Sequence, residues 1–263
     1  MAPTDPHLIS PVDVVQAPVG NDAVDWDQFD SDAYFSHNYG ELRPDDKRII
    51  QIIADYFEGA LLGRDLPGRR MGRAIDVGSG ANLYPAMVML PYASRVTLFE
   101  RAFPNRTWLE SELKAPHRSW LQFWETISGG RRAYDRIREP IEVLHSRASV
   151  ERGNVFGLAP DLYDLGTMFF VAESITTRTD EFQRATRLFV NTLRPGAPFA
   201  AAFMRDSAGY YVGAEHFPAC SIRETDVERA LAPVARNVDI ELVESNDLRE
   251  GYGGMMVATG RKK

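Results

Sequence analysis

Ala74-Ile75-Asp76-Val77-Gly78-Ser79-Gly80 joins a short apolar strand, Arg73 to Val77, to a tight turn built on two glycines. Leu83 to Leu90 follows with the pattern of a helix. Val96-Thr97-Leu98-Phe99-Glu100 then forms a second short buried strand that ends in an acid. Strand, glycine turn, helix, strand is a βαβ unit, and its strands are expected to run parallel.

The same alternation continues outward. Pro44 opens a helix whose first turn holds Asp45 and Asp46, where the helix dipole favours acids. Ile50, Ile53, Phe57 and Leu61 give it one apolar face, and Gly63 with Pro67-Gly68 ends it. Residues 105–138 read as helical, with Trp108, Trp120 and Trp124 covering core. Ile141 to Leu144 is a weaker strand candidate, Ser149 to Phe156 another, and Leu162 to Val171 a strongly apolar strand. Thr179 or Asp180 caps a helix carrying Phe182, Ala185, Phe189 and Leu193, and Arg194-Pro195-Gly196 stops it. Phe199 to Met204 is the next strand. Ser221-x-x-Glu224 reads as a capping box ahead of Val227, Ala230, Leu231 and Val234, and Ile240 to Val243 and Met255 to Thr259 are closing strands. Such alternation means a doubly wound α/β sheet covered on both faces. Residues 1–24, with Pro3, Pro6, Pro11 and Pro18, are expected to form a mobile arm. Residues 25–263 then make a single domain, in which 25–62 supply an aromatic lid and the first helix.

Composition narrows the class of function. The 263 residues are 44% hydrophobic and carry a formal net charge of -7, with a pI near 5.3. No basic run suggests nucleic acid, and the acidic balance favours small or cationic substrates over anionic surfaces. No apolar run is long enough for a membrane span. The first residues lack the pattern of a signal peptide. A lone cysteine, Cys220, excludes an internal disulfide and a multi-cysteine zinc site. The histidines show no metal-ligand spacing, so no metal is expected. Gly-x-Ser-x-Gly, the hydrolase nucleophile elbow, is absent from the sequence. The expectation is a cytoplasmic protein, a monomer or weak dimer, acting on a small molecule.

In an open parallel sheet a ligand lies beyond the carboxyl ends of the strands, where strand order switches. Gly78 and Gly80 sit there because a side chain would keep a ligand from the backbone. The dehydrogenase fingerprint needs a third glycine near Leu83, and it is missing. Asp76 would also repel a pyrophosphate, whereas it suits the ammonium and sulfonium of S-adenosylmethionine. Glu100, ending the second strand, can accept both hydroxyls of a ribose.

Four stretches, in order, resemble one family, the nicotinamide, phenylethanolamine and indolethylamine (thioether) N-methyltransferases. They are Phe29-x4-Tyr34-x4-Tyr39; Ile75 to Gly80 with x3-Tyr84; Phe169-Phe170-Val171-Ala172-Glu173-Ser174-Ile175; and Tyr210-Tyr211-Val212-Gly213-x-Glu215-x-Phe217. The resemblance runs from about Trp26 to Lys263. It implies a seven-stranded, mostly parallel Rossmann-like methyltransferase sheet with an N-terminal lid, using S-adenosylmethionine and releasing S-adenosylhomocysteine. It further implies that Tyr34, Tyr39 and Tyr84 close around the methionine end of the cofactor beside Asp76, Gly78, Ser79 and Gly80. Glu100 and Asn105 would take the ribose, Asn154 and Val155 the adenine, and Phe169 and Phe170 the cofactor's flank. An Asn154 amide could still reach the adenine amino group through its oxygen. Glu173 and Asp206 would stand at the acceptor, as attracting acids and proton acceptors. Phe29, Tyr210 and Tyr211 would wall a flat substrate, and Asp247 or Glu250 would supply a further acid. Ordinary structural roles stay open for Tyr34 and Tyr39 as packing, Glu173 as a helix-cap acid and Asp206 as a loop acid. The resulting expectation is transfer of methyl to nitrogen of a small amine or N-heteroarene. An O- or S-methyltransferase, a non-catalytic cofactor-binding regulator and a dehydrogenase remain as alternatives.

Overall fold

A computed structural model describes residues 17–61, 72–244 and 253–263. In chain order, α1 is Ser31–Asn38 and α2 Pro44–Leu61, followed by β1, Gly72–Val77, α3, Tyr84–Val88, and β2, Ala93–Glu100. Then come α4, Phe103–Lys114, α5, Trp120–Ser128, α6, Pro140–Arg147, β3, Ala148–Arg152, and β4, Leu165–Phe169. The last part holds α7, Thr179–Thr192, β5, Pro198–Met204, β6, Tyr210–Val212, β7, Glu215–Phe217, α8, Glu224–Leu231, β8, Ala235–Val243, and β9, Met255–Lys262.

A seven-stranded sheet runs in the order β3-β2-β1-β4-β5-β9-β8, parallel except that β9 is antiparallel to both its neighbours. β6 and β7 form a separate two-stranded ribbon. The chain lays down β1, β2 and β3 in one direction and then returns to place β4 on the other side of β1. A crevice therefore opens beyond the ends of β1 and β4, where their connections diverge.

Side-chain parity divides the core in two. Ala200 and Ala202 of β5 pack with the Ile49, Ile53, Phe57, Trp120 and Phe123 side. Phe199, Ala201 and Phe203 pack with Phe182, Phe189 and Leu231 of α7 and α8. Helices thus cover both faces, as the near-continuous apolar strands require. Trp108, Trp120 and Trp124 lie in the first core, as expected.

Several local expectations are corrected. Ile141 to Leu144 lies inside helix α6, not a strand: Pro140 suits a first helical position, and Leu144 is buried from one side. The strand expected over Ser149 to Phe156 stops at Arg152, because the Asn154 side chain accepts from Phe156 N–H and makes a turn. β4 is shorter than Leu162 to Val171 at both ends, and Phe170 leaves it with φ +57°. Helix α7 begins at Thr179 with Arg178 as its cap, one residue before the expected range. For α8 the acid that closes the N-terminus is Asp226, which accepts from Arg223 N–H at 3.0 Å, while Ser221 is exposed. The arm expected up to residue 24 is docked from Val19 onward: Val19 N–H donates to Thr177 Oγ1, and Asn21 is buried. Gly63, Pro67 and Gly68 lie outside the described residues.

Phe189 of α7 is fully buried and meets Phe199 of β5 edge to face, with ring centroids 6.0 Å apart. Phe189→Ala is expected to lower stability by about 3–5 kcal/mol through lost burial and the cavity left behind, measured by urea unfolding.

Candidate active site

The turn after β1 is fixed from three sides. Gly78 N–H donates to Phe99 O of β2 at 2.7 Å, and Gly78 has φ +68°. A Cβ there would stand 2.5 Å from Val171 Cγ2, so glycine is required by both backbone and neighbour. Glu100 Oε2 accepts from Gly80 N–H at 2.8 Å, while Oε1 accepts from Ala102 N–H at 2.7 Å, just ahead of α4. One buried carboxyl therefore ties the glycine turn to β2 and the start of α4. Burial raises its pKa, and the two N–H donors oppose that shift.

Asp76 faces the same crevice from within β1. Its Oδ1 accepts the Thr167 hydroxyl at 2.7 Å, across the β1–β4 register. Its Oδ2 is buried without a hydrogen-bond partner. Burial pushes the Asp76 pKa up to about 7, against the pull of Thr167.

These groups line one cavity enclosing about 860 Å³, open solvent included, with Gly78, Ser79, Gly80, Glu100 and Asn105 along its floor. Asn154 and Val155 line one end, Tyr34 and Tyr39 line it from the lid, and Phe169 and Phe170 from the end of β4. Phe29 and Tyr210 also line it. Asn105 Oδ1 accepts the Ser31 hydroxyl at 2.7 Å, which locks α1 onto α4 over the cavity. An orphaned acid, a glycine cradle and a buried carboxyl at the end of β2 together fit a cofactor that is a cationic nucleoside.

Four expected residues stand off this cavity. Tyr84 is fully buried behind Tyr39 and Phe169, stacked on Phe123 at 5.6 Å, with its hydroxyl 3.1 Å from Asp46 Oδ1. Asp46 is itself buried, and burial next to Asp45 raises its pKa to about 7. Glu173 turns away from the cavity: Oε1 accepts from Met204 N–H at 2.9 Å, Oε2 is unpartnered, and burial raises its pKa to about 7. Asp206 is committed to surface ion pairs, accepting from Arg223 Nε at 2.7 Å with Arg205 Nε at 3.9 Å. Tyr211 is 64% exposed and packs edge-on against His216. Asp247 and Glu250 lie outside the described residues.

The cavity adds residues that the sequence reading missed, among them Asn21, Trp26, Phe99, Arg101, Ser174 and Ile175. Ser174 and Ile175 directly follow Glu173, so the segment was signalled but the inward residue was not. Asn21 sits among the residues read as an arm, and nothing in its local sequence marks it.

Fold and cavity together define an S-adenosylmethionine-dependent methyltransferase with a Rossmann-like sheet. The match of the NNMT/PNMT/TEMT family over residues 19–263 settles the family, and the chain belongs to it. No curated protein sequence matches this one. The fold resembles the N-methyltransferase NodS of Bradyrhizobium japonicum WM9, with TM-score 0.50 and 12% identity over 84% of this chain and 88% of that one. It also resembles the 1,6-didemethyltoxoflavin-N1-methyltransferase of Burkholderia thailandensis, with TM-score 0.50 and 17% identity over 89% and 86% of the two chains. A third likeness is the magnesium protoporphyrin IX methyltransferase of Synechocystis PCC 6803, with TM-score 0.52 and 12% identity over 90% and 93%.

Asp46, Asp76 and Glu173 share a raised pKa of about 7, so the folded protein holds protons that the unfolded chain releases near pH 4. Stability from these groups is present at low pH and is lost as pH rises through about 7. The melting temperature of the ligand-free protein is expected to fall between pH 5 and 8, with a shallower fall in Asp76→Asn. A slope identical in wild type and variant would contradict the assignment.

Proposed function

We propose that the chain transfers a methyl group to the nitrogen of a small, flat acceptor, an N-heteroarene in preference to an aliphatic amine. The observation that carries this reading is the aromatic wall where the lid meets the ends of β4 and β6. Phe29, Phe170 and Tyr210 line the cavity there, and Tyr210 is stacked on Phe217 at 5.6 Å, with Phe217 in turn stacked on Trp26 at 5.5 Å. Such a slot suits a planar ring.

When bound, S-adenosylmethionine supplies an electrophilic methyl on a sulfonium, whose departure needs no proton. The chain's own work is then to hold, align and exclude water. Gly78 and Gly80 let the backbone approach. Glu100 is placed to accept ribose hydroxyls, and the free Oδ2 of Asp76 to receive an ammonium. Tyr34 and Tyr39, edge to face at 6.0 Å, close the lid side. Glu173 and Asp206, expected to attract and deprotonate an ammonium acceptor, do not line the cavity: Glu173 Oε1 accepts from Met204 N–H and Asp206 pairs with Arg223. A pyridine-type nitrogen presents its lone pair without losing a proton, so it needs neither acid. Two of the three proteins of like fold are N-methyltransferases, in keeping with this choice.

The direct test incubates the purified protein with isotopically labelled S-adenosylmethionine and matched panels of N-heteroarenes, amines, phenols and thiols, read by product mass. Turnover of N-heteroarenes above the other panels is expected, and turnover confined to phenols or thiols would overturn the reading. Tyr210→Ala is expected to raise the acceptor KM about tenfold by removing one stacked wall, with S-adenosylhomocysteine affinity unchanged by calorimetry.

A further inference from the structure

Asn154 follows β3 and lines the cavity with Gly153, Phe99 and Arg101. Which end of its amide faces the cavity is fixed by groups that can only donate. Phe156 N–H donates to Asn154 Oδ1 at 3.1 Å. Trp26 Nε1–H donates to Asn21 Oδ1 at 3.1 Å, which turns the Asn21 amide nitrogen toward Asn154. That nitrogen donates to the same Asn154 Oδ1 at 3.2 Å. An indole N–H and a backbone N–H have no acceptor role, so neither amide in the chain can be flipped without losing a bond. Asn154 Oδ1 thus already accepts two hydrogen bonds, and the group left to face a ligand is its Nδ2, a donor.

Asn21 is itself held firmly. Its N–H donates to Glu181 Oε2 at 2.9 Å, and its carbonyl accepts from Arg101 at 3.1 Å. Val19 is bonded to Thr177 on the same side, and Arg101 pairs with Asp22 at 3.3 Å. The strap from Val19 to Trp26 is therefore fastened over the end of β3 by contacts that meet at Asn21.

We propose that Asn21 and Asn154 form one adenine-reading unit, in which Asn154 donates from its amide nitrogen to a ring nitrogen of the base and Asn21 holds it in that orientation. The selectivity is opposite in sense to a carboxylate at this position, which could only accept from the exocyclic amino group. It also makes Asn21, on the strap, a positioning residue for the cofactor. The inference rests on the cofactor being S-adenosylmethionine, and binding of S-adenosylhomocysteine to the wild-type chain tests that separately.

The experiment is calorimetric titration of S-adenosylhomocysteine and its 1-deaza, 3-deaza and 7-deaza analogues into wild type, Asn154→Asp and Asn21→Ala, with melting temperatures as a folding check. Asn154→Asp keeps an acceptor for both Phe156 N–H and Asn21, so its internal bonds survive and only the face toward the base changes. About tenfold weaker binding is expected in Asn154→Asp, from one lost hydrogen bond and acceptor facing acceptor. Asn21→Ala is expected to weaken binding as well and to remove the ligand-induced protection of residues 19–31 from hydrogen exchange. One deaza analogue is expected to bind wild type more weakly than the parent, and no more weakly than the parent in Asn154→Asp. Equal or tighter binding by Asn154→Asp would overturn the donor assignment, since an oxygen facing the amino group would survive the change. Wild-type affinity in Asn21→Ala, or equal binding of all three analogues by wild type, would overturn it too.

Discussion

The carboxyl of Glu100 lies where three elements must meet. One oxygen holds Gly80 N–H and the other holds Ala102 N–H, so the glycine turn, the end of β2 and the start of α4 are set by a single buried acid. Gly78 N–H on Phe99 O adds a second tie between the same strands. Once the turn is fixed, Val171 can pack against Gly78 with no Cβ between them, and the end of β4 reaches the cavity. The remaining lining residues inherit their places from that arrangement. A buried acid is costly to ionise, and the two backbone donors offset part of that cost.

Glu100 is not alone. Asp76, Asp46 and Glu173 are buried as well, all with raised pKa values, and of these Asp76 lines the cavity. A site so arranged is destabilised by its own negative charge and relieved by a positive one. S-adenosylmethionine brings two, the ammonium and the sulfonium. A preference for the donor over an anionic nucleotide is therefore the expectation from the burial of Asp76 and Glu100 at the cavity.

The β1–turn–β2 unit was legible in the sequence because its signals are local: an apolar run, two glycines, an acid at the next strand end. A doubly wound sheet covered on both faces follows from the same alternation, whereas the number of strands, seven, was implied by the family resemblance. Where reading failed, local parity had been broken. Phe170 takes φ +57°, and past it the alternation of β4 no longer applies, so Ser174 and Ile175 line the cavity while Glu173 turns to Met204. Tyr210 and Tyr211 are successive residues of a strand, so one faces inward and the other outward. Pro140 made a helix of residues whose composition suits a strand. Asn21 was out of reach because its partners, Asn154 and Glu181, are more than a hundred residues away and linked to it by hydrogen bonds that leave no periodic trace.

β9 has a position with a consequence for synthesis. It lies between β5 and β8, although both are made before it. Until residues 255–262 leave the ribosome, the Phe199-to-Met204 edge has no partner on that side, and β8 has nothing to pair with. Helix α2 waits as well, since Tyr56 bonds Gly260 O and Arg261 bonds Ala60 O across the sheet. An apolar strand edge left open during elongation is a template for pairing with other chains. The nascent chain is therefore most vulnerable to aggregation in the interval between β5 and β9, when chaperones holding that edge would matter most.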